Sequence, residues 1–123
     1  MTTRIPTLIF SFTILSATLL TSLSTQADTE IKEKITSHQK QIVSAQKLDD
    51  CKALITHMEA LELLTKNIPS NFYFYQGNCF FKQFEYSKSI PVLENYFIHA
   101  LANDKYYNQA LTIFSSAEQK HIM

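Results

Sequence analysis

Two cysteines and four histidines are the side chains of this 123-residue sequence best suited to chemistry. Cys51 and Cys79 have 27 residues between them, so a C-x-x-C redox pair is absent. A disulfide joining them would tie a second helix to a third, and the chain-entropy model assigns about 3 to 4 kcal/mol to a loop of that size. Two buried thiols are the alternative. The pairing meets a geometric difficulty: Cys51 opens its helix, Cys79 sits mid-helix, and the turn near Pro69 is not midway between them. His38, His57, His99 and His121 show no ligand spacing with one another. Cys51 and His57 lie more than a turn and a half apart, too far for a zinc pair on one helix. His38 falls in an apolar stripe and reads as a packed histidine. Cys–His catalysis needs a third orienting group and a cleft, and nothing in the pattern marks them. Glu59 and Glu62, one turn apart, read as solvated charge. The expectation is no enzyme, no metal and no cofactor.

Composition narrows the rest. Eleven basic and eleven acidic side chains give a formal charge of zero and a pI near 6.9. That balance argues against a nucleic-acid partner, which selects a basic face to replace counterions. A single Gly and three Pro are too few for a turn-rich sandwich or a phosphate-cradling loop. Hydrophobic residues at 46% suffice for a packed core.

The first 27 residues read as a secretory signal peptide. Arg4 supplies the positive start, Ile5 to Leu23 is apolar, and Ser24-Thr25-Gln26-Ala27 places small residues at a cleavage site. An uncleaved inner-membrane anchor is the alternative, since that apolar stretch is long enough to span a bilayer. Residues 28–123 then form one domain, expected in the periplasm or secreted.

Helical periodicity runs throughout that domain. Ile31, Ile35, His38, Ile42 and Ala45 share one face, with Asp28 or Thr29 as a candidate N-cap. Asp49-Asp50 reads as a break and a new cap. Cys51, Leu54, Ile55, Met58, Leu61 and Leu64 form the next stripe. After Pro69, with Ser70 or Asn71 as cap, a third helix is expected over 72–83. A fourth covers 86–101, where Pro91 is tolerable near the first turn, and a fifth covers 105–118 with Tyr107, Ala110, Leu111 and Phe114 inward. Short connections between them make antiparallel hairpins.

Residues 71–103 resemble one tetratricopeptide repeat. Tyr73 is the large aromatic, Gly77 stands at the site where two helices approach closely, and Phe80 follows three further on. Tyr86 opens the second helix, Ser89 is small where Ala is usual, and Leu93 is large and apolar. Gln76, Tyr96 and Pro91 depart from the pattern. Residues 90–120 are also similar to small secreted helical-repeat regions of bacterial envelope proteins. The resemblance implies an all-α fold of antiparallel helical hairpins stacked as a short solenoid. It further implies a concave groove in which Phe74, Asn78, Phe81 and Lys82 meet a protein or peptide partner through apolar or aromatic anchors. No small-molecule substrate is expected. The last helix, with Tyr106, Ile113 and Ile122 outward, suggests self-association. A membrane-tethered adaptor of the same design and a small ligand-binding or enzymatic bundle are the competing readings.

Overall fold

The periodic apolar stripes do form helices. The computed structural model describes the backbone of residues 4–122 and the side chains of residues 25–122. Among these there are five helices and no strand: α1 (Arg4–Lys47), α2 (Cys51–Leu64), α3 (Ser70–Lys82), α4 (Tyr86–His99) and α5 (Tyr107–Ile122). The chain is therefore all-α. It divides into two compact units, Met1–Lys34 and Ile35–Met123.

In the first unit, α1 runs through Asp28 and Thr29 without a break. The Thr29 hydroxyl donates to the Thr25 carbonyl at 3.0 Å, a helix-interior habit, so in the intact chain neither residue caps a helix start. An exposed ion pair joins Lys34 to Glu30 one turn back, at 3.6 Å. The signal-peptide reading rests mainly on side chains before Thr25, which lie outside the described residues. Among the described residues no helix is long and apolar enough to cross a membrane.

In the second unit the helix ends explain the turns. After Lys47 the chain enters the left-handed region at Asp49 (φ 54°). The Asp49 and Asp50 amides donate back to the Gln46 and Ala45 carbonyls at 3.3 and 2.9 Å. This Schellman closure satisfies carbonyls that the helix leaves open. Asp50 is then the N-cap of α2, accepting from the Ala53 amide at 3.1 Å, as its sequence position suggested. The start of α3 differs from expectation. Pro69 is its N-cap, no side chain caps it, and Ser70 is already helical. A proline with φ of −58° presets the entry, and its carbonyl accepts the Phe72 amide at 3.1 Å. In α4, Pro91 sits beyond the first turn, exposed, so one helical hydrogen bond is missing on the solvent side.

The end of α3 repeats the Schellman pattern with a less suitable residue. Phe84 has φ of 63° while its amide donates to Phe81 at 3.0 Å and the Glu85 amide to Phe80 at 2.9 Å. Its side chain is 76% exposed, so packing offsets little of the strain of placing a bulky residue there. Replacing Phe84 by glycine should raise stability by about 1 kcal/mol, read as a higher urea midpoint at unchanged slope. An unchanged or lower midpoint would show that the Phe84 ring does more than the backbone argument allows.

Packing settles the directions of the helices. Tyr73 stacks on His99, Phe74 meets Tyr96, Gly77 meets Leu93, and the Lys88 ammonium lies over the Phe80 ring, so α3 and α4 are antiparallel. Cys51 beside Cys79, with Asp49 paired to Lys82, makes α2 and α3 antiparallel as well. Phe74 against Tyr106 and Phe81 against Lys120 make α5 run in the same direction as α3. The core gathers Ile42 and Ala45 from α1, Leu54, Met58 and Leu61 from α2, and most of α3. Leu93 and Tyr96 from α4 and Ala110, Ile113 and Ala117 from α5 complete it. Leu111 was expected inward but is 45% exposed. Ile113 takes the inward position instead, on the nearly opposite face, in one stripe with Ala110 and Ala117.

Candidate functional site

α3 lies against α2, α4 and α5, and this decides which of its aromatics can reach a partner. The sequence places Phe74, Asn78, Phe81 and Lys82 on an open groove face, and that placement does not hold for Phe74. Phe74 is 2% exposed, its ring stacked on Tyr106 at 4.5 Å and tilted against Tyr96 at 5.8 Å. The physical reason is that Tyr96 of α4 and Tyr106, on the turn leading into α5, cover the face that a free first helix of a repeat would leave open. Phe81 is half-buried under Tyr86, at 5.5 Å edge-on, with the Lys120 ammonium 5.3 Å from its centroid. Asn78 is half-buried, and Lys82 forms an exposed ion pair with Asp49 at 2.9 Å.

The repeat positions pack as structural residues. Gly77 is buried against Leu93, Ser89 is wholly buried, and its hydroxyl donates to the Gly77 carbonyl at 2.8 Å. Phe80 is buried, while Tyr73 and Tyr86 are half-buried. Gln76 is buried too, and its Oε1 has no partner. Its amide bonds to Glu62, whose carboxyl is pushed above the usual range by burial, an effect the Gln76 bond opposes and Glu59 reinforces.

Of the residues expected outward on the last helix, Ile122 is 85% exposed, but Ile113 is buried and Tyr106 is half-buried against Phe74 and Tyr75. Self-association through those three residues therefore loses two of its contacts to the chain's own core. Tyr96, the bulky residue at an expected small position, is fully buried, and its hydroxyl donates to Asp104. Burial and that bond to a carboxylate raise the Tyr96 phenol well above its ordinary value. Asp104 also accepts the Tyr106 amide at 3.2 Å. The Tyr96 hydroxyl, and then the Tyr106 amide, hold the Asp104 carboxyl below its usual range.

A lowered folded-state value means that ionised Asp104 stabilises the fold. The contribution is complete above the unfolded value, near pH 4, and is lost as pH falls through the folded value. The difference in urea midpoint between pH 6 and pH 3 should therefore shrink in an Asp104→Asn variant. An equal difference in both proteins would assign the acid sensitivity to other carboxylates.

Two features were not legible in the linear spacing. First, Nδ1 of His38 lies 3.0 Å from Nδ1 of His57, with ring centroids 5.3 Å apart and the planes tilted by 47°. Second, an open apolar cleft of about 460 Å³ lies between α1 and the start of α3, lined by Thr36, Gln39, Lys40, Val43, Pro69 and Phe72. The aliphatic part of the Lys40 side chain, Val43 and Pro69 give it an apolar wall with a polar rim. Both features pair residues remote in sequence: the histidines come from α1 and α2, and the cleft residues from α1 and the start of α3. Among the described residues no group of three or more metal-ligating side chains converges.

No family model matches this chain, and neither a curated protein nor a solved structure is similar to it.

Proposed function

We propose that the chain is an exported, tetratricopeptide-like interaction module of stacked helical hairpins that binds an apolar peptide segment of a partner protein. The observation that carries this reading is the open cleft between α1 and α3. Three arrangements support the repeat architecture. The α3–α4 hairpin closes through Gly77 and Leu93, α5 runs parallel to α3, and Phe74 of α3 touches Tyr106, the residue before α5, at close to the interval of one repeat. In such an array the odd-numbered helices line the concave side, and the cleft lies between two of them. The groove is thus displaced from Phe74 and Phe81 toward Val43, Pro69 and Phe72. A few buried apolar anchors would supply most of the affinity, with Gln39 and Lys40 at the rim. Export rests on the amino-terminal pattern of charge, apolar run and small residues. The periplasm is the compartment it favours, with retention at the inner membrane as the alternative.

The test is in-cell photo-crosslinking from position 39 in the full chain, with a second crosslinker at position 63. Leu63 is 89% exposed and apolar but remote from the cleft in α2. A discrete adduct from position 39 that disappears in a Val43→Asp background, and is absent from position 63, is the expected result. The same adducts from both positions would mean general stickiness and would overturn the module reading.

A further inference from the structure

His38 and His57 meet from two helices of the same compact unit, both half-buried. Their rings are too far tilted to be a stacked pair, and each turns Nδ1 toward the other. Two neutral imidazoles on one ion have their ligating nitrogens about 2.0–2.1 Å from it, and at a tetrahedral angle those nitrogens stand about 3.4 Å apart with ring centres about 5.2 Å apart. The observed values are 3.0 Å and 5.3 Å. The ring centres already have the required spacing, but the two nitrogens point straight at one another, so each ring must turn by about 35° to aim its lone pair at a shared ion. His57 also lines an open cleft of about 270 Å³ with Asp50, Lys52, Ala53 and Thr56.

We propose that His38 and His57 form a two-imidazole site for a borderline divalent transition cation, Zn²⁺ being the type, with its remaining positions open to water. When both Nδ1 atoms ligate, the ring that carried the shared proton on Nδ1 carries it on Nε2 instead, so both imidazoles bind neutral through a free lone pair. Because its two ligands come from α1 and α2, it fastens those helices as the disulfide fastens α2 to α3. The donor set suits zinc by ligand type, and the open positions distinguish the site from a closed structural one.

The experiment titrates the oxidised full chain with ZnCl₂, read by calorimetry and by imidazole ¹⁵N shifts, with melting temperature followed in parallel. Oxidation keeps Cys51 and Cys79 from ligating. One ion per chain is expected, with Nδ1 of His38 and His57 shifting together and the melting temperature rising. His38→Ala and His57→Ala should each weaken binding at least tenfold and abolish the thermal shift, while His99→Ala and His121→Ala bind as the parent does. His57→Asn provides a second check, because it keeps a polar group at the site. Affinity unchanged in His38→Ala or His57→Ala, or lost in His99→Ala or His121→Ala, overturns the assignment.

Discussion

Gly77→Ala will destabilise the fold by about 1 to 3 kcal/mol, although alanine is the better helix former by about 1 kcal/mol. A Cβ on Gly77 would stand 2.6 Å from Cδ2 and 2.7 Å from Cγ of Leu93, closer than carbon atoms tolerate. Leu93 is fully buried, so it has no solvent to swing into, and moving it would displace its neighbours in the core. The backbone is pinned as well, because the Ser89 hydroxyl bonds to the Gly77 carbonyl at 2.8 Å. Urea unfolding of the single variant should show a lower midpoint at unchanged slope. The cause is separable from a general loss of packing by a double-mutant cycle. Shortening Leu93 to alanine leaves a cavity on its own, but in the Gly77→Ala background the new methyl group occupies part of it. The double variant should therefore be more stable than the sum of the two losses predicts. Strict additivity would mean that Gly77 is required for some reason other than the approach of α4.

That prediction rests on a position legible without coordinates. A lone glycine amid aromatics, with a small residue and then a large apolar one at helical spacing in the next helix, marks a close crossing, and the structure places Gly77, Ser89 and Leu93 there. Asp50 as a cap was legible for the same reason, because its chemistry is local. What failed was non-local. Phe74 reads as outward only if α3 keeps one free face, and no rule of periodicity says that the turn into α5 comes back over it to stack Tyr106 on that ring. Ile113 and Leu111 exchange roles because α5 buries Ala110, Ile113 and Ala117, a stripe with spacings of three and four that the same apolar pattern also allows. His38 and His57 lie on different helices and have no common spacing to detect, so their contact depends on how the hairpin closes. Pro69 is intermediate. It marks the boundary correctly but takes the capping position itself, leaving Ser70 inside the helix.

Removing the bond between Cys51 and Cys79 will lower stability by about 3 to 4 kcal/mol, a large share of what a small domain possesses. The two sulfurs are bonded, the Cα atoms lie 5.3 Å apart, and the sequence separation is 28. The geometric difficulty raised by the sequence disappears once the helix ends are known. α2 stops at Leu64 and α3 begins at Ser70, so the connection starts midway between the two cysteines, and Pro69 marks only its far end. The bond fastens the end of the α2–α3 hairpin where α2 begins and α3 finishes, next to the buried Leu54 and Phe80. The one ion pair there, Lys82 with Asp49, is exposed on both sides and contributes little in water. Cys79 is 4% exposed but Cys51 is half-buried, so a thiol reductant should attack the native bond at the Cys51 sulfur. A Cys51→Ala/Cys79→Ala protein separates the cross-link from the chemistry of free thiols. Its urea midpoint should fall to near that of the reduced parent, because the entropy of the unlinked unfolded chain is common to both. The slope should rise in both, since an unfolded chain without the cross-link exposes more surface. If the double variant instead matched the oxidised parent in midpoint and slope, the bond would be incidental, and apolar packing of α2 against α3 through Leu54, Met58 and Leu61 would suffice to hold the hairpin.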